Sequence, residues 1–520
     1  MKNKESYVFW EMAHKLISEH GYRIIQLFEN QKELWLEKLE NKNAPVVRML
    51  LENIDWGNVM QRDIEFTAAN GESVRKQLGR HKLDVVNIYI SEFPPVDDYE
   101  FRLKYPFVFA DKNKTTVHSY LIAAGVIETN LEKLSNQLGK DISISIQDEY
   151  TEQDVYLEKK AALDYAINRV KRERGLLQNS KPLFTYLFIF LQVAMFLWLQ
   201  WNGGSTNSST LIKYGAKVNQ LIYEGDYWRF ITPVFLHIGL LHLVMNTLAL
   251  YYLGTVVERI YGRVRFLFIY LFAGFTGVIS SFIFSPNLSA GASGAIFGCF
   301  GALLYFGATN RKLFFKTMGL NVIIVLIINL VFGFTASGID NAGHLGGLAG
   351  GFLAAGIVHL PKKRNGLRQV ACLILTAIVV WGSLSYGFSA TAQTQDEDTV
   401  IVLAQDYIKQ DQYQKAHDVL RKYESTAEDS SERTYFLLSY VEIKQGNLAS
   451  AKSHLKRAIE LDPNFHEAYF NLALINLEQK ELGQAKINAQ KAADLKPKQQ
   501  EYSDLVNEIN EQLQSSGAGE

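Results

Sequence analysis

A serine set among glycines, Gly291-Ala292-Ser293-Gly294-Ala295-Ile296-Phe297-Gly298, opens an apolar segment that meets no charge until Arg311. A histidine set among glycines, Gly343-His344-Leu345-Gly346-Gly347-Leu348-Ala349-Gly350-Gly351, opens another. A hydroxyl beside an imidazole is the pair from which a base-activated nucleophile is built. A third apolar segment holds His242 and Asn246, four residues apart and so on one helix face. Polar side chains in apolar spans are costly and point by default to function. Taken alone, Gly-x-Ser-Gly reads as a packing motif whose serine satisfies a backbone carbonyl. The histidine in matched glycine surroundings, together with His242 and Asn246, turns the reading toward chemistry. Position 295 is Ala, so Ser293 is not in the Gly-x-Ser-x-Gly elbow. Asp340 is expected in an outer loop rather than as a third member of a triad, which leaves a Ser–His dyad. His344 would take the Ser293 proton and return it to the leaving amine. His242, Asn246 and the backbone amide of Ser293 would supply donors to the oxyanion.

These side chains need elements that bring them to one depth. A bilayer core of roughly 30 Å takes about 20 apolar helical residues. Candidate spans lie at about 182–201, 233–255, 265–284, 290–308, 318–335, 342–360 and 369–389. Trp198, Trp201 and Trp381 stand near span ends, where interfacial aromatics belong. Arg259, Arg263 and Arg265 lie between spans two and three, Arg311, Lys312 and Lys316 between four and five, and Lys362, Lys363, Arg364 and Arg368 between six and seven. The alternate loops at 285–287 and 337–340 have no Lys or Arg. The loop after span one holds only Lys213, Lys217 and Arg229. With the basic stretch at 158–174, this pattern places the N-terminus in the cytoplasm and the C-terminus outside. Spans two, four and six then run inward, so Ser293 and His344 both sit near the outer surface. Gly294 with Gly298, and Gly347 with Gly351, form small-xxx-small pairs that let two helix backbones approach closely.

The ends of the 520-residue chain are polar. Residues 1–160 read as a soluble α/β domain, with an amphipathic first helix (Trp10, Met12, Leu16, Ile17) and strand candidates at 23–28, 34–36, 46–50 and 85–90. A helical stretch is expected at 59–78. No phosphate loop or metal-ligand spacing appears, and His14 and His20 lack the spacing that shares a helix face. Residues 161–181 are a basic juxtamembrane segment, 182–389 the membrane domain, and 390–398 a linker. Residues 399–510 read as tetratricopeptide repeats outside the membrane. Ala485, Ala492 and Pro497 follow Ala451, Ala458 and Pro463 at the ~34-residue period. An earlier unit fits at Lys409-Gln410-Asp411, Tyr413 and Ala416. Residues 511–520 are expected to be disordered. The first residues carry no apolar h-region, so no cleaved signal peptide is expected. The two cysteines, Cys299 and Cys372, both lie in apolar segments and imply no disulfide framework. The net charge of −1 says nothing about nucleic acid, and none is expected as a partner.

The combination Gly291-Ala-Ser293-Gly294, His344 before Gly347 and Gly351, and His242-x-x-x-Asn246 resembles the rhomboid intramembrane serine proteases. So do Tyr227-Trp228-Arg229, Phe235-Leu236-His237-x-Gly239 and Glu258-Arg-Ile-Tyr-Gly262. The resemblance covers about 182–389. The two polar ends and the seventh span resemble one Gram-positive bacterial type of that family. The resemblance implies a polytopic helical core of six helices plus a seventh, no cofactor or metal, and cleavage of transmembrane protein substrates near the outer face of the plasma membrane. It implies Ser293 and His344 as the dyad and His242 and Asn246 as oxyanion donors. It implies that Trp228, Arg229 and Glu258 shape the first outer loop and its helix contacts. Phe297 stands where rhomboids often carry Tyr; its ring can still pack on His344, without the hydroxyl.

Two other functions compete. An inactive rhomboid-like adaptor would bind membrane clients without cutting, but such relatives usually lack Ser or His. A transporter would show charged groups or broken helices near mid-membrane. The repeats and the N-terminal domain are expected to bind protein partners. Because the chemistry resides in the six-span core, deletion of 399–520 is expected to spare cleavage of a short model substrate.

Overall fold

The computed structural model describes the chain apart from residues 1–2, 110–113, 145–146, 148, 337, 362–364, 390–394, 428 and 518–520. Lys362, Lys363 and Arg364 of the basic loop, most of the linker and the last residues of the tail therefore lie outside the described residues. Contacts divide the chain into two units, Met1–Gly175 and Leu176–Glu520.

The first unit is a mixed sheet between helices. Its elements are α1 (Asn3–Ser18), β1 (Arg23–Leu27), β2 (Glu33–Glu37), β3 (Val46–Leu51), α2 (Gly57–Gln77), β4 (Leu83–Ile90), α3 (Glu100–Lys104), β5 (Phe107–Val108), β6 (Thr115–Ile122), α4 (Ile127–Leu138) and α5 (Glu152–Leu177). Strand order is β1-β2-β3-β4-β6-β5, with β3, β4 and β6 parallel and the outer pairings antiparallel. Strands β3 and β4 are almost wholly buried, the pattern of strands covered on both faces. The expected strands and helices are present. Strand β6 was not anticipated: the polar pairs Thr115-Thr116 and His118-Ser119 interrupt its apolar residues and hide an interior strand. The basic stretch also belongs here. Ala162 is in the core beside Val155, Leu163 and Ala166, and Arg23 pairs with Glu173 on α5 at 2.6 Å.

The second unit begins with seven apolar helices: α6 (Phe184–Trp201), α9 (Leu240–Tyr261), α10 (Arg263–Phe284), α11 (Ser293–Thr309), α13 (Gly319–Thr335), α14 (Asn341–Val358) and α15 (Gly366–Gly387). Short helices α7 (Ser208–Tyr214) and α8 (Asn219–Tyr223) lie in the loop after α6, and α12 (Arg311–Thr317) precedes α13 at a 75° bend. Four of the seven, α6, α9, α10 and α15, are long and apolar enough to cross a membrane by themselves, and α12 with α13 makes a fifth if the bent pair is one span. α11 is short, and α14 is diluted by glycine. Of the four long helices α10 is the most buried, at 61%, and α15 the least, at 11%; the short α11 is buried along most of its length. Residues 233–239 are not part of span two as expected. Residues 232–235 form a 3-10 turn, and Gly239 at φ +81° starts the helix afterwards.

Glu258 is fully buried near the C-terminal end of α9. Its carboxylate accepts from the backbone N–H of Leu183, Phe184 and Thr185 and from the Thr185 hydroxyl, at 2.7–2.9 Å. A carboxylate is thus supplied in trans to the unsatisfied N–H groups at the start of α6. Glu258 ties spans one and two together at the end remote from Ser293, not at the first outer loop.

The repeats follow as helix pairs: α16 (Glu397–Lys409), α17 (Tyr413–Thr426), α18 (Glu432–Lys444), α19 (Leu448–Leu461), α20 (His466–Glu478), α21 (Leu482–Leu495) and a last helix α22 (Gln500–Gly517). Ala416, Ala451, Ala458, Ala485 and Ala492 are all fully buried, the places where a larger side chain would part paired helices. The first hairpin is also packed on the membrane core. Ile212, Val218 and Leu221 share one apolar cluster with Val400, Leu403, Leu420 and Leu438. This changes the expectation for deletion of 399–520, which would strip the cover from that loop. Deletion of 399–520 should lower both the melting temperature and cleavage of a short transmembrane substrate. Deletion of 447–520, which keeps α16–α18, should leave both near wild type. Equal behaviour of the two truncations would contradict the cover role.

Candidate active site

The site is built from the first turns of three helices. Ser293 begins α11, His344 lies in the first turn of α14, and His242 in the first turn of α9. Because α9 starts only after Gly239, His242 stands as near its helix start as Ser293 and His344 stand to theirs. Ser293 Oγ lies 2.8 Å from His344 Nε2. Among the described residues, Nδ1 of His344 has no hydrogen-bond partner, so no third group orients the ring from behind. The Phe297 ring does so from its face: the two rings stack at 4.2 Å between centroids and 9° between planes. Phe297 is itself buried. The helix spacing that puts it on the Ser293 face thus leaves the imidazole one flat surface to rest on.

Glycines make the approach possible. A Cβ on Gly347 would overlap the Gly294 carbonyl oxygen, and one on Gly351 would overlap that of Gly298. α11 and α14 therefore touch backbone to backbone, in the pairing expected from the two small-xxx-small motifs. A Cβ on Gly294 would stand 3.2 Å from the Gly343 oxygen, immediately below the Ser293–His344 contact. Gly291, at φ +152°, leaves room for another neighbour: a Cβ there would meet the His242 ring at 2.7 Å and Asn246 Nδ2 at 3.7 Å. His242 and Asn246 thus press on the chain two residues before Ser293. Asn246 Nδ2 is a buried donor with no acceptor among the described residues. His237 is fully buried and meets the His242 ring edge-on at 5.3 Å.

Trp228 and Arg229 do not reach this group; they organise the loop between spans one and two. The Arg229 guanidinium donates to the carbonyls of Ile212 (2.8 Å) and Ala216 (2.9 Å), pairs with Asp226 at 2.9 Å and lies 4.4 Å from the Trp228 ring centroid. Lys217, Ser289 and Asp340 lie around the same loops and were not anticipated as part of the site. Among the described residues there is no group of His, Cys, Asp and Glu able to hold a metal ion.

A profile of the Rhomboid domain matches residues 224–361, a stretch that contains Ser293, His344, His242, Asn246, Phe297, Trp228, Arg229 and Glu258 but not Lys217. Over 98% of this chain and 99% of its own length, Rhomboid protease GluP of Bacillus subtilis (strain 168) is 41% identical. The chain belongs to the rhomboid family. Other relatives match the rhomboid core. Putative rhomboid protease YdcA of Bacillus subtilis (strain 168) is 34% identical over 28% of this chain and 73% of its own. RHOMBOID-like protein 1 of Arabidopsis thaliana is 37% identical over 31% of this chain and 42% of its own. Tetratricopeptide repeat profiles match 440–480 and 466–499. This rhomboid is a multi-pass membrane protein with a repeat array, and the near-complete match to one relative covers both polar ends as well as the core.

In this rhomboid core Phe297 can be tested apart from the Ser293–His344 pair. Phe297→Ala should slow cleavage by about 10-fold, the scale of a lost aromatic stack, while Phe297→Tyr should stay close to wild type. Rates of model-substrate cleavage check this; equal rates for wild type and Phe297→Ala would contradict a role in holding His344.

Proposed function

We propose that Ser293 is the nucleophile and His344 the general base with which this rhomboid-family intramembrane protease cleaves transmembrane substrates. The observation that carries the reading is the 2.8 Å approach of Ser293 Oγ to His344 Nε2 at the start of two helices in backbone contact. The Ser293 hydroxyl donates its proton to Nε2 as Oγ attacks the scissile carbonyl carbon. The carbonyl oxygen becomes the oxyanion of a tetrahedral intermediate. His344 then gives that proton to the leaving nitrogen, the C–N bond breaks, and an acyl-enzyme remains. A water deprotonated by His344 attacks the ester carbon, the carbon–Oγ bond breaks to release the carboxylic acid, and His344 returns the proton to Ser293 Oγ. His242 and the unpaired Asn246 amide stand beside the serine segment as donors for the oxyanion. His242→Ala or Asn246→Ala should each cost about 10²–10³ in kcat, the range for one lost oxyanion donor. Turnover unchanged in both variants would make these groups structural.

The basic loops support a topology in which the N-terminal domain is cytoplasmic and the repeats are outside, on the side from which Ser293 is reached. Trp228, Arg229 and Glu258 act as supports of the core, and the repeats and N-terminal domain recruit protein partners. Purified protein in vesicles, given a single-span substrate, tests the whole reading. A new peptide bond end near the outer face, absent with Ser293→Ala, is expected. Binding without cleavage would favour the adaptor. Protease protection of the repeats in spheroplasts would reverse the topology.

A further inference from the structure

Lys217 is fully buried although it stands in the loop between spans one and two. Its Nζ donates to the carbonyls of Ser285 (2.7 Å) and Asn287 (2.8 Å). Its backbone exchanges two hydrogen bonds with Ser289, at 2.8 and 3.1 Å. Burial pushes its pKa down to about 8, against the opposing pull of the Asp340 and Asp396 carboxylates. A buried ammonium is costly unless its donors are met, and here two of its three are met by the loop that leads into Ser293. Ser289 carries the connection onward. Its hydroxyl donates to Asp340 Oδ2 at 2.7 Å, while Asp340 Oδ1 accepts from Gly343 N at 2.9 Å and caps α14. Ser289 is four residues before Ser293, and Asp340 four residues before His344.

Without this tie the pair would be fixed from one side only. The glycine contacts of α11 and α14 lie below the Ser293–His344 approach, starting at Gly294 and Gly343. The Ser289–Asp340 bond joins the same two segments above it. A proton transfer is sensitive to sub-ångström placement, so two fixed points hold the approach where one would let the helix starts drift. We infer that Lys217, Ser289 and Asp340 are positioning residues that hold Ser293 Oγ and His344 Nε2 in register. The inference rests on the Ser293–His344 reading above and deepens it.

The test uses full-length protein and a fluorophosphonate probe, which reports Ser293 reactivity without needing a docked helix. Ser289→Ala leaves the Asp340 cap in place and should lower both the labelling rate and kcat by about 10-fold, the worth of a hydrogen bond to a charged group. KM should stay at the wild-type value, and the melting temperature should fall by no more than a few degrees. Ser289→Thr should restore the rate. Asp340→Ser keeps a capping oxygen but loses the reach to Ser289, and its effect should add little to that of Ser289→Ala. Unchanged labelling in Ser289→Ala would overturn the inference. So would a loss that follows the melting temperature and is not restored by Thr. Labelling that persists in Ser293→Ala would overturn the Ser293–His344 reading, and the tie with it.

Discussion

Ser293→Ala and His344→Ala should each abolish cleavage, and the double variant should be no worse than either alone. The reason is the shared proton. In the proposed dyad Oγ is a weak nucleophile until Nε2, 2.8 Å away, accepts its hydrogen, and Nε2 has nothing to accept once Oγ is gone. Groups that act as one unit lose their whole contribution at the first deletion, typically by factors of about 10⁴ or more. Neither side chain carries the fold: the helices meet through glycine backbone atoms, and Ala at either position adds no volume. Expression, membrane insertion and melting temperature should therefore hold while turnover disappears. Substrate turnover measured beside a melting curve checks both halves. Residual activity in one single variant well above the other would break the pairing.

The second large effect is structural. Gly347→Val or Gly351→Val should destroy both stability and activity. Any Cβ at these positions overlaps a backbone carbonyl of α11, and a backbone cannot step aside as a side-chain tip can. Overpacking into a filled core costs about 1–3 kcal/mol where side chains can adjust; against rigid helix backbone the loss should exceed that range. Parting α11 from α14 also parts Ser293 from His344, so activity should fall further than the folded fraction does. Gly382→Ala on α15 is the control. A Cβ there meets nothing within 4 Å, and Ala in place of a helix-interior glycine should gain about 1 kcal/mol. Thermal unfolding in detergent of the three variants separates the cases. A Gly351→Val protein as stable as wild type would show that the helices are not in backbone contact.

The pairing of Ser293 with His344 was legible because glycine spacing and charge alternation are local signals. Gly294, Gly298, Gly347 and Gly351 declare a close helix contact, and the basic loops fix which helix ends share a level. The expected start of span two failed for a related reason. Val234 and Leu236 are apolar and buried and Phe235 is half-buried, so hydropathy runs straight through a 3-10 turn and on to Gly239, whose positive φ marks the true start of the helix. What Glu258 holds was not legible, because its partners at Leu183–Thr185 lie 73–75 residues away. Lys217 read as an ordinary loop charge. Nothing local says that its ammonium points inward onto Ser285 and Asn287. The docking of the first repeat hairpin was invisible for the same cause: Val218 and Leu221 look like loop residues until Val400 and Leu403 cover them.

The most direct measurement is the position of a fluorophosphonate adduct, found by mass spectrometry of peptides from the labelled protein. The Ser293–His344 assignment predicts one adduct, on Ser293 Oγ, whose formation slows to background in His344→Ala while that protein still melts like wild type. An adduct on another serine, or labelling of Ser293 at an undiminished rate without His344, would contradict it.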